Sequence, residues 1–148
     1  MYKFKPLVSI VIPTFNHANY ISNALQSVLH QTYPNWEAIV IDNHSTDDTG
    51  KVVARFNDHR IKYIKIQNYG VIAKSRNIGI KSAKGDWVAF LDSDDSWTSD
   101  KLKTCIENIN NQIDLIYHDL EVTSDRQTFF KGKINKSRQL KKPILIDL

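Results

Sequence analysis

Short runs of β-branched and apolar residues alternate along this chain with segments whose apolar residues recur at helical spacing. The runs predict strands over residues 7–12, 36–41, 61–66, 87–91 and 115–122. The segments between them predict four helices: one capped by Asn19, one that begins near Thr46, one that begins at Ile72, and one capped by Thr98 or Ser99. Strands that alternate with helices form βαβ units, so the sequence predicts an α/β fold in which helices flank a mainly parallel sheet.

A polar loop follows each of the first four predicted strands, at residues 14–17, 42–48, 68–70 and 92–95. Ligands of open parallel sheets bind beyond the carboxyl ends of the strands, because helix N-termini and loop amides converge there. We therefore expect a binding site of this chain to be built from these loops.

The loop at residues 92–95 carries the densest charge. The carboxylates of Asp92, Asp94 and Asp95 repel one another unless a cation or hydrogen-bond donors share their charge. Residues two apart in extended backbone face the same way, so Asp92 and Asp94 can flank one hard cation, Mg²⁺ or Mn²⁺, that bridges them to phosphate oxygens. The alternative is a solvated loop in which Asp95 or Ser96 begins a helix.

Three further side chains have a functional interpretation and a structural one. Asp42 is predicted to hydrogen-bond a base edge or a ribose hydroxyl, since a neighbouring Ser or Thr can cap the next helix in its place. Arg76 can pair bidentately with a phosphate or carboxylate, or form a surface salt bridge. Phe15 can stack on a base or pack against the first helix.

Length and composition limit the classes of protein to which this chain can belong. The 148 residues fit a single domain, with a core over 1–123 and a basic, incomplete segment over 124–148 that ends on an apolar run, as if cut before a further element. The single cysteine, Cys105, excludes an intramolecular disulfide. Aromatic residues are sparse among the Lys and Arg of the tail, so nucleic-acid binding is not expected. No run of about 18 apolar residues occurs, so we expect a cytoplasmic protein.

Five motifs stand in order between residues 7 and 103. They are a strand ending in Pro-Thr-Phe-Asn (9–16), Gln-Thr-Tyr-Pro (31–34), Asp-Asn-His-Ser-Thr-Asp (42–47), Asn-Tyr-Gly followed by Ser-Arg-Asn-Ile-Gly (68–79), and Gly-Asp-Trp-Val-Ala-Phe-Leu-Asp-Ser-Asp-Asp (85–95). Together they resemble the inverting glycosyltransferases of family 2, whose nucleotide-binding domain has the Rossmann-like GT-A fold. The family's usual third motif begins Asp-Asp, so Asn43 departs from it. This departure leaves the identity of the donor's nucleobase undetermined.

The resemblance implies a GT-A domain, truncated at its C-terminus, that binds a nucleotide-diphosphate sugar, most simply a UDP-sugar, with Mn²⁺ or Mg²⁺. It implies metal binding by Asp94 together with Asp92, and contacts to the nucleotide sugar from Pro13, Thr14, Phe15, Asn16, Asp42, Asn43, Arg76, Asp92 and Ser93. It implies transfer of the sugar, with inversion, to a glycan or lipid-linked acceptor, as in bacterial polysaccharide biosynthesis. Peripheral contact of the basic tail with a membrane is a further open alternative. The general base that inversion requires is not identified, so the catalytic residue is unknown.

Two other functions remain open. A non-catalytic module would bind the same nucleotide sugar without an acceptor half. A Mg²⁺-dependent phosphoryl-transfer domain also places Asp-x-Asp after a parallel strand, but it needs an Asp nucleophile with a Thr or Lys partner.

Overall fold

The computed structural model describes residues 5–110 and 112–117. The chain divides into two compact units, Met1–Ile109 and Asn110–Leu148. The first unit contains, in order, β1 (Val8–Thr14), α1 (Ile21–Leu29), β2 (Trp36–Asp42), α2 (Thr49–Ala54), β3 (Ile61–Lys65), α3 (Ile72–Ser82), β4 (Trp87–Phe90) and α4 (Lys101–Glu107). None of the helices in the described part of the chain has the length and apolar character needed to span a bilayer.

The four strands form one parallel sheet in the order β3-β2-β1-β4. This arrangement confirms the predicted α/β class and its Rossmann-like order of strands and helices. The fifth predicted strand is wrong at its start, because residues 115–117 belong to no strand. Its remainder, residues 118–122, lies outside the described residues, as does the basic segment over 124–148.

The sheet buries an apolar layer on each face because successive side chains of a strand alternate. Val8, Ile10 and Ile12 of β1 pack on the side that holds α1, α2 and α4. Val11 of β1 packs with Ile39 and Ile41 of β2 on the opposite side, against α3. The helix α3 lies very close to this second face, because a Cβ placed on Gly79 would stand 2.3 Å from Val11 Cγ1.

The first strand was predicted over residues 7–12, and the predicted end at Ile12 is wrong. The strand continues through Pro13, which pairs in register with Ile41. In a parallel strand the N–H and C=O of one residue point to the same side, so Pro13 and Val11 both turn toward β4. Because β4 ends opposite Val11, the missing N–H of Pro13 costs no hydrogen bond of the sheet.

The helix α3 begins at Ile72 as predicted, whereas α1, α2 and α4 begin later than the sequence predicts. The structure places Tyr20 and Asp100 at the N-caps of α1 and α4, in place of Asn19 and of Thr98 or Ser99, and neither makes a side-chain cap hydrogen bond. The helix α2 begins at Thr49 instead of near Thr46, because Thr46 N–H is bound by the side chain of Asn16. The loops at this edge of the sheet thus bond to one another before the helices start.

Candidate functional site

A cavity of about 430 Å³ opens where β1, β2 and β4 end. All four predicted loops contribute to its wall, which is lined by Pro13, Thr14, Phe15, His17, Asn43, Asn68, Gly70, Ile72, Ser75, Asp92, Ser93 and Asp94. The structure therefore brings together seven of the ten predicted site residues. The three that do not line the cavity are Asn16, Asp42 and Arg76.

Asp42 was expected to be free for a ligand, and the structure corrects this. Its side chain is fully buried at the end of β2. One carboxylate oxygen accepts hydrogen bonds from the backbone N–H and the hydroxyl of Ser45, and the other accepts from the hydroxyl of Tyr63. Burial of Tyr63, followed by its bond to Asp42, raises the pKa of the phenol. Asp42 thus shapes the loop after β2 from beneath, and Asn43 is the residue that this loop presents to the cavity.

Asn16 connects two of the loops. Its backbone N–H donates to the Ser45 hydroxyl at 2.9 Å, and its side-chain oxygen accepts from Thr46 N–H at 2.9 Å. Asn16 adopts a left-handed conformation with φ of 51°, which Asn tolerates better than most residues. Its observed role is to hold the loop after β1 against the loop after β2.

Arg76 reaches the site through Asp92. Its guanidinium Nη2 donates to Asp92 Oδ1 at 2.9 Å, and both side chains are partly exposed. The pair joins α3 to the loop after β4. The Arg76 guanidinium does not line the cavity itself, but it contacts Asp92, which does. The observed contact is the salt bridge that was the alternative for Arg76, made through one guanidinium nitrogen. Bidentate pairing of Arg76 with a phosphate stays a prediction.

Ser93 and His17 form a second link across the site. The Ser93 side chain is buried, and its hydroxyl lies 2.6 Å from His17 Nδ1. The backbone N–H of His17 donates to Thr49 Oγ1 at 3.0 Å, which ties the loop after β1 to the start of α2. His17 was not predicted as a site residue, because a lone histidine in a polar loop carries no pattern.

Thr14 places a buried hydroxyl at the cavity without a partner. The residue is 5% exposed, and its Oγ1 has no hydrogen-bond partner among the described residues. A buried hydroxyl that lacks a partner costs free energy, so such groups in native proteins are commonly satisfied by water or a ligand. This atom is the strongest local sign that the cavity accepts a polar ligand.

The acidic cluster contains three carboxyl groups, at Asp92, Asp94 and Asp95, but does not form a complete metal site. Partial burial raises the pKa of the Asp95 carboxyl, and the carboxylates of Asp94 and Asp92 raise it further. Within residues 5–110 and 112–117 no group of three or more His, Cys, Asp or Glu side chains is arranged to hold a metal ion. Asp92 and Asp94 therefore fit a hard cation that takes its remaining oxygens from the ligand or from water.

The sequence missed four further lining residues on the loop after β3 and on α3: Asn68, Gly70, Ile72 and Ser75. The loop at 68–70 was recognised as polar, but no role was assigned within it. Tyr69 and Gly70 both have positive φ, 57° and 80°, and turn the chain toward α3. The start of α3 consequently lies at the cavity. The predicted N-terminus of this helix, next to a polar loop, was the feature from which these lining residues could have been predicted.

Comparison with known proteins identifies relatives of this arrangement. The model of the glycosyl transferase family 2 matches residues 9–146. An Escherichia coli protein, UDP-Glc:alpha-D-GlcNAc-diphosphoundecaprenol beta-1,3-glucosyltransferase WfgD, is 41% identical over 120 residues. That match covers 80% of this chain and 47% of the relative, so the chain spans about half the length of the relative.

Two solved structures share the fold. The TarS 1-349 structure from S. aureus in complex with UDP has a TM-score of 0.65 and 35% identity, over 68% of this chain and 31% of that one. The mannosyltransferase PcManGT from Pyrobaculum calidifontis, in complex with GDP-Man and Mn²⁺, has a TM-score of 0.65 and 28% identity, over 71% of this chain and 32% of that one. Both likenesses agree with a GT-A arrangement of the sheet and helices.

Proposed function

Because the chain belongs to glycosyl transferase family 2, we propose that it binds the activated sugar donor of a glycosyl transfer reaction in the cavity at the carboxyl ends of the strands. The donor is a nucleoside diphosphate sugar, with UDP as the first candidate nucleotide. The observation that carries the proposal is the single cavity that unites Thr14 and Asn43 with Asp92, Ser93 and Asp94.

The two ends of the cavity suit the two ends of such a donor. Thr14, Phe15 and Asn43 offer an unpartnered hydroxyl, an exposed aromatic ring and an amide to the base and ribose. Asp92 and Asp94 offer carboxylate oxygens on the opposite loop. Arg76 neutralises one oxygen of Asp92, which lowers the repulsion that two adjacent carboxylates would exert on a diphosphate.

The carboxylates of Asp92 and Asp94 fit Mn²⁺ or Mg²⁺, and we assign the stronger metal contact to Asp94, which is exposed and makes no ion pair among the described residues. When bound, the cation supplies charge stabilisation to the diphosphate as it leaves the sugar. Asp92, held by Arg76, and Ser93, held by His17, orient the loop on which Asp94 stands.

The transfer step requires an acceptor and a base in addition to the donor site. Inversion needs a base that deprotonates the acceptor hydroxyl, and the proposal assigns no residue to that role. A glycan or lipid-linked acceptor in polysaccharide biosynthesis is the class that fits the relatives, and contact with a membrane surface belongs to the same proposal. Donor binding without turnover is the second candidate, because the chain spans about half the length of its relative.

Calorimetric titration of the chain with UDP, GDP, UDP-glucose and GDP-mannose tests the proposal. We expect UDP and its sugar to bind in the presence of Mn²⁺ and to lose most of that affinity when the metal is chelated. Failure of every nucleotide to bind, with the protein folded, would refute donor binding. A parallel assay for released UDP separates the two candidates, since a transferase hydrolyses or transfers the sugar and a binding module does not.

A further inference from the structure

The Gln-Thr-Tyr-Pro motif at residues 31–34 follows α1 and contributes no residue to the wall of the cavity. Its first residue, Gln31, is buried and uses both ends of its carboxamide. Nε2 donates to Thr98 O at 2.7 Å and to Ser27 O at 3.0 Å, and Oε1 accepts from Leu102 N–H at 2.9 Å. The side chain of Gln31 therefore joins the end of α1 to the segment that leads into α4.

The bond to Leu102 takes the place of a helix cap. The N-cap residue of α4, Asp100, makes no side-chain cap hydrogen bond. The first N–H groups of a helix have no acceptor within the helix, and a buried N–H without a partner costs free energy. Leu102 is buried and lies in the first turn of α4, so Gln31 supplies an acceptor that the helix itself does not provide.

The neighbour of Gln31 adds a third contact to the same segment. The backbone N–H of Thr32 donates to Ser99 O at 2.8 Å. Residues 31 and 32 thus hold residues 98–102, which follow the acidic loop at residues 92–95 directly in sequence, with Trp97 between them packed against the core. The acidic loop is consequently fixed at its far end by the motif after α1, as it is fixed at its near end by β4.

We propose that Gln31 is a positioning residue of the donor site: by holding residues 98–102, it sets where the Asp94 carboxylate stands when it meets a cation. The inference rests on the proposed function and adds to it a residue that does not line the cavity. Thr14, Phe15 and Asn43, which we assign to the base and ribose, belong to loops that Gln31 does not contact. Loss of Gln31 should therefore weaken metal-dependent binding of the diphosphate and spare binding of the nucleoside.

The substitution Gln31→Met tests this separation. Methionine keeps an unbranched side chain of similar length, but it cannot donate a hydrogen bond and its sulfur is a weak acceptor. We expect the affinity for UDP in the presence of Mn²⁺ to fall about tenfold, while the affinity for uridine stays the same. Calorimetric titration measures both. Gln26→Met makes the same change at an exposed position of α1 and is expected to alter neither affinity.

A second control separates positioning from a loss of stability in α4. Ile106→Val loosens the packing of the same helix on the core and leaves the contacts of Gln31 in place. We expect it to lower the thermal midpoint and to keep the affinity for UDP with Mn²⁺. If Ile106→Val weakens that affinity as Gln31→Met does, or if Gln31→Met weakens uridine and UDP alike, Gln31 acts on the fold as a whole and the inference is overturned.

Amide hydrogen exchange of the unaltered chain tests the same coupling without a substitution, and so also covers the case in which Gln31→Met does not fold. UDP with Mn²⁺ is expected to slow exchange at Leu102 N–H as well as at Asp95 N–H in the acidic loop, whereas uridine is expected to slow neither. Slower exchange at Asp95 with no change at Leu102 would overturn the inference and leave the donor site supported. If the unaltered chain binds no UDP, the proposed function falls and the inference falls with it.

Discussion

His17 Nδ1 lies 2.6 Å from the Ser93 hydroxyl, so one hydrogen bond joins the loop after β1 to the acidic loop after β4. The backbone N–H of the same histidine binds Thr49 Oγ1 at the start of α2. Three segments that are distant in sequence therefore meet at His17. The position of Ser93, and with it the spacing of the carboxylates on either side, depends on this contact.

The first prediction concerns this link. His17→Ala removes the partner of a buried hydroxyl, so the acidic loop loses its fixed position and UDP affinity in the presence of Mn²⁺ is expected to fall by about tenfold. Calorimetric titration measures the change. His30, an exposed residue after α1, provides the control, because His30→Ala should leave that affinity unaltered. Equal affinities in the two variants would show that the link does not organise the site.

The second prediction tests the metal contact. Asp94→Ala is expected to abolish the part of nucleotide affinity that depends on Mn²⁺, because it removes a carboxylate oxygen from the ligand set. Asp94 is exposed, so the thermal midpoint should change little. Asp48→Ala is the matched control, since Asp48 is exposed and its partner Lys51 is also exposed. Retention of metal-dependent binding in Asp94→Ala would remove this residue from the metal site.

The alternation of strands and helices predicted where the first four strands lie along the chain. The signal is clearest for β1 and β2, because burial on both faces leaves a run of apolar residues that has few other interpretations. The edge of the sheet was harder to predict. Asp42 and Asn43 are adjacent and both polar, yet one is sealed beneath Tyr63 and the other faces the cavity. Which of two neighbours points outward depends on strand register and on a partner 21 residues away, and neither is visible in a loop motif.

The residues that the sequence missed have a common cause. Asn68 and Ser75 bond to each other across seven positions, and their role follows from the left-handed turn at Tyr69 and Gly70. In the sequence, a left-handed turn of this kind is indicated only by its glycine. Predicting the site from motifs therefore selected residues in the loops after β1, β2 and β4. It passed over Asn68 and Ser75, whose hydrogen bond joins the loop after β3 to α3.

The third prediction uses the unpartnered hydroxyl of Thr14. Thr14→Val keeps the shape of the side chain and removes a buried polar atom without a partner, so it is expected to stabilise the unliganded protein by about 1 kcal/mol. The same change should weaken UDP binding, because the hydroxyl is then missing from the cavity. Urea denaturation and calorimetry measure the two effects.

Thr49 is the matched control for that substitution. Its hydroxyl is also buried, but it donates to Asp47 at 2.5 Å and accepts from His17 N–H. Thr49→Val is therefore expected to lower the free energy of unfolding by about 1–2 kcal/mol. If Thr14→Val and Thr49→Val change stability in the same direction, Thr14 Oγ1 is satisfied in solution and the argument for its role in ligand binding loses its basis.

The fourth prediction concerns acid stability, and it depends on Glu37 at the amino end of the sheet. Burial of this carboxyl raises its pKa, but hydrogen bonds from Lys62, from Lys84 N–H and from the Ser9 hydroxyl outweigh burial and hold the pKa below its usual value of 4.5. The unfolded chain therefore binds this proton more readily than the folded one. The stabilisation is present above about pH 4.5 and is lost as the pH falls through the folded pKa.

Glu37→Gln is expected to lower the free energy of unfolding by about 1–2 kcal/mol at pH 7, because a neutral amide cannot replace a carboxylate that is bound to a lysine. The difference between this variant and the unaltered chain should shrink as the pH falls below 4.5, since the carboxylate is then protonated as well. Urea denaturation between pH 7 and pH 3 follows the difference. Glu107→Gln is the control, because Glu107 lies on an exposed face of α4 with its lysine partner 4.0 Å away. A difference for Glu37→Gln that stays constant across this range would mean that Glu37 does not titrate on unfolding, and that its contribution to stability comes from shape alone.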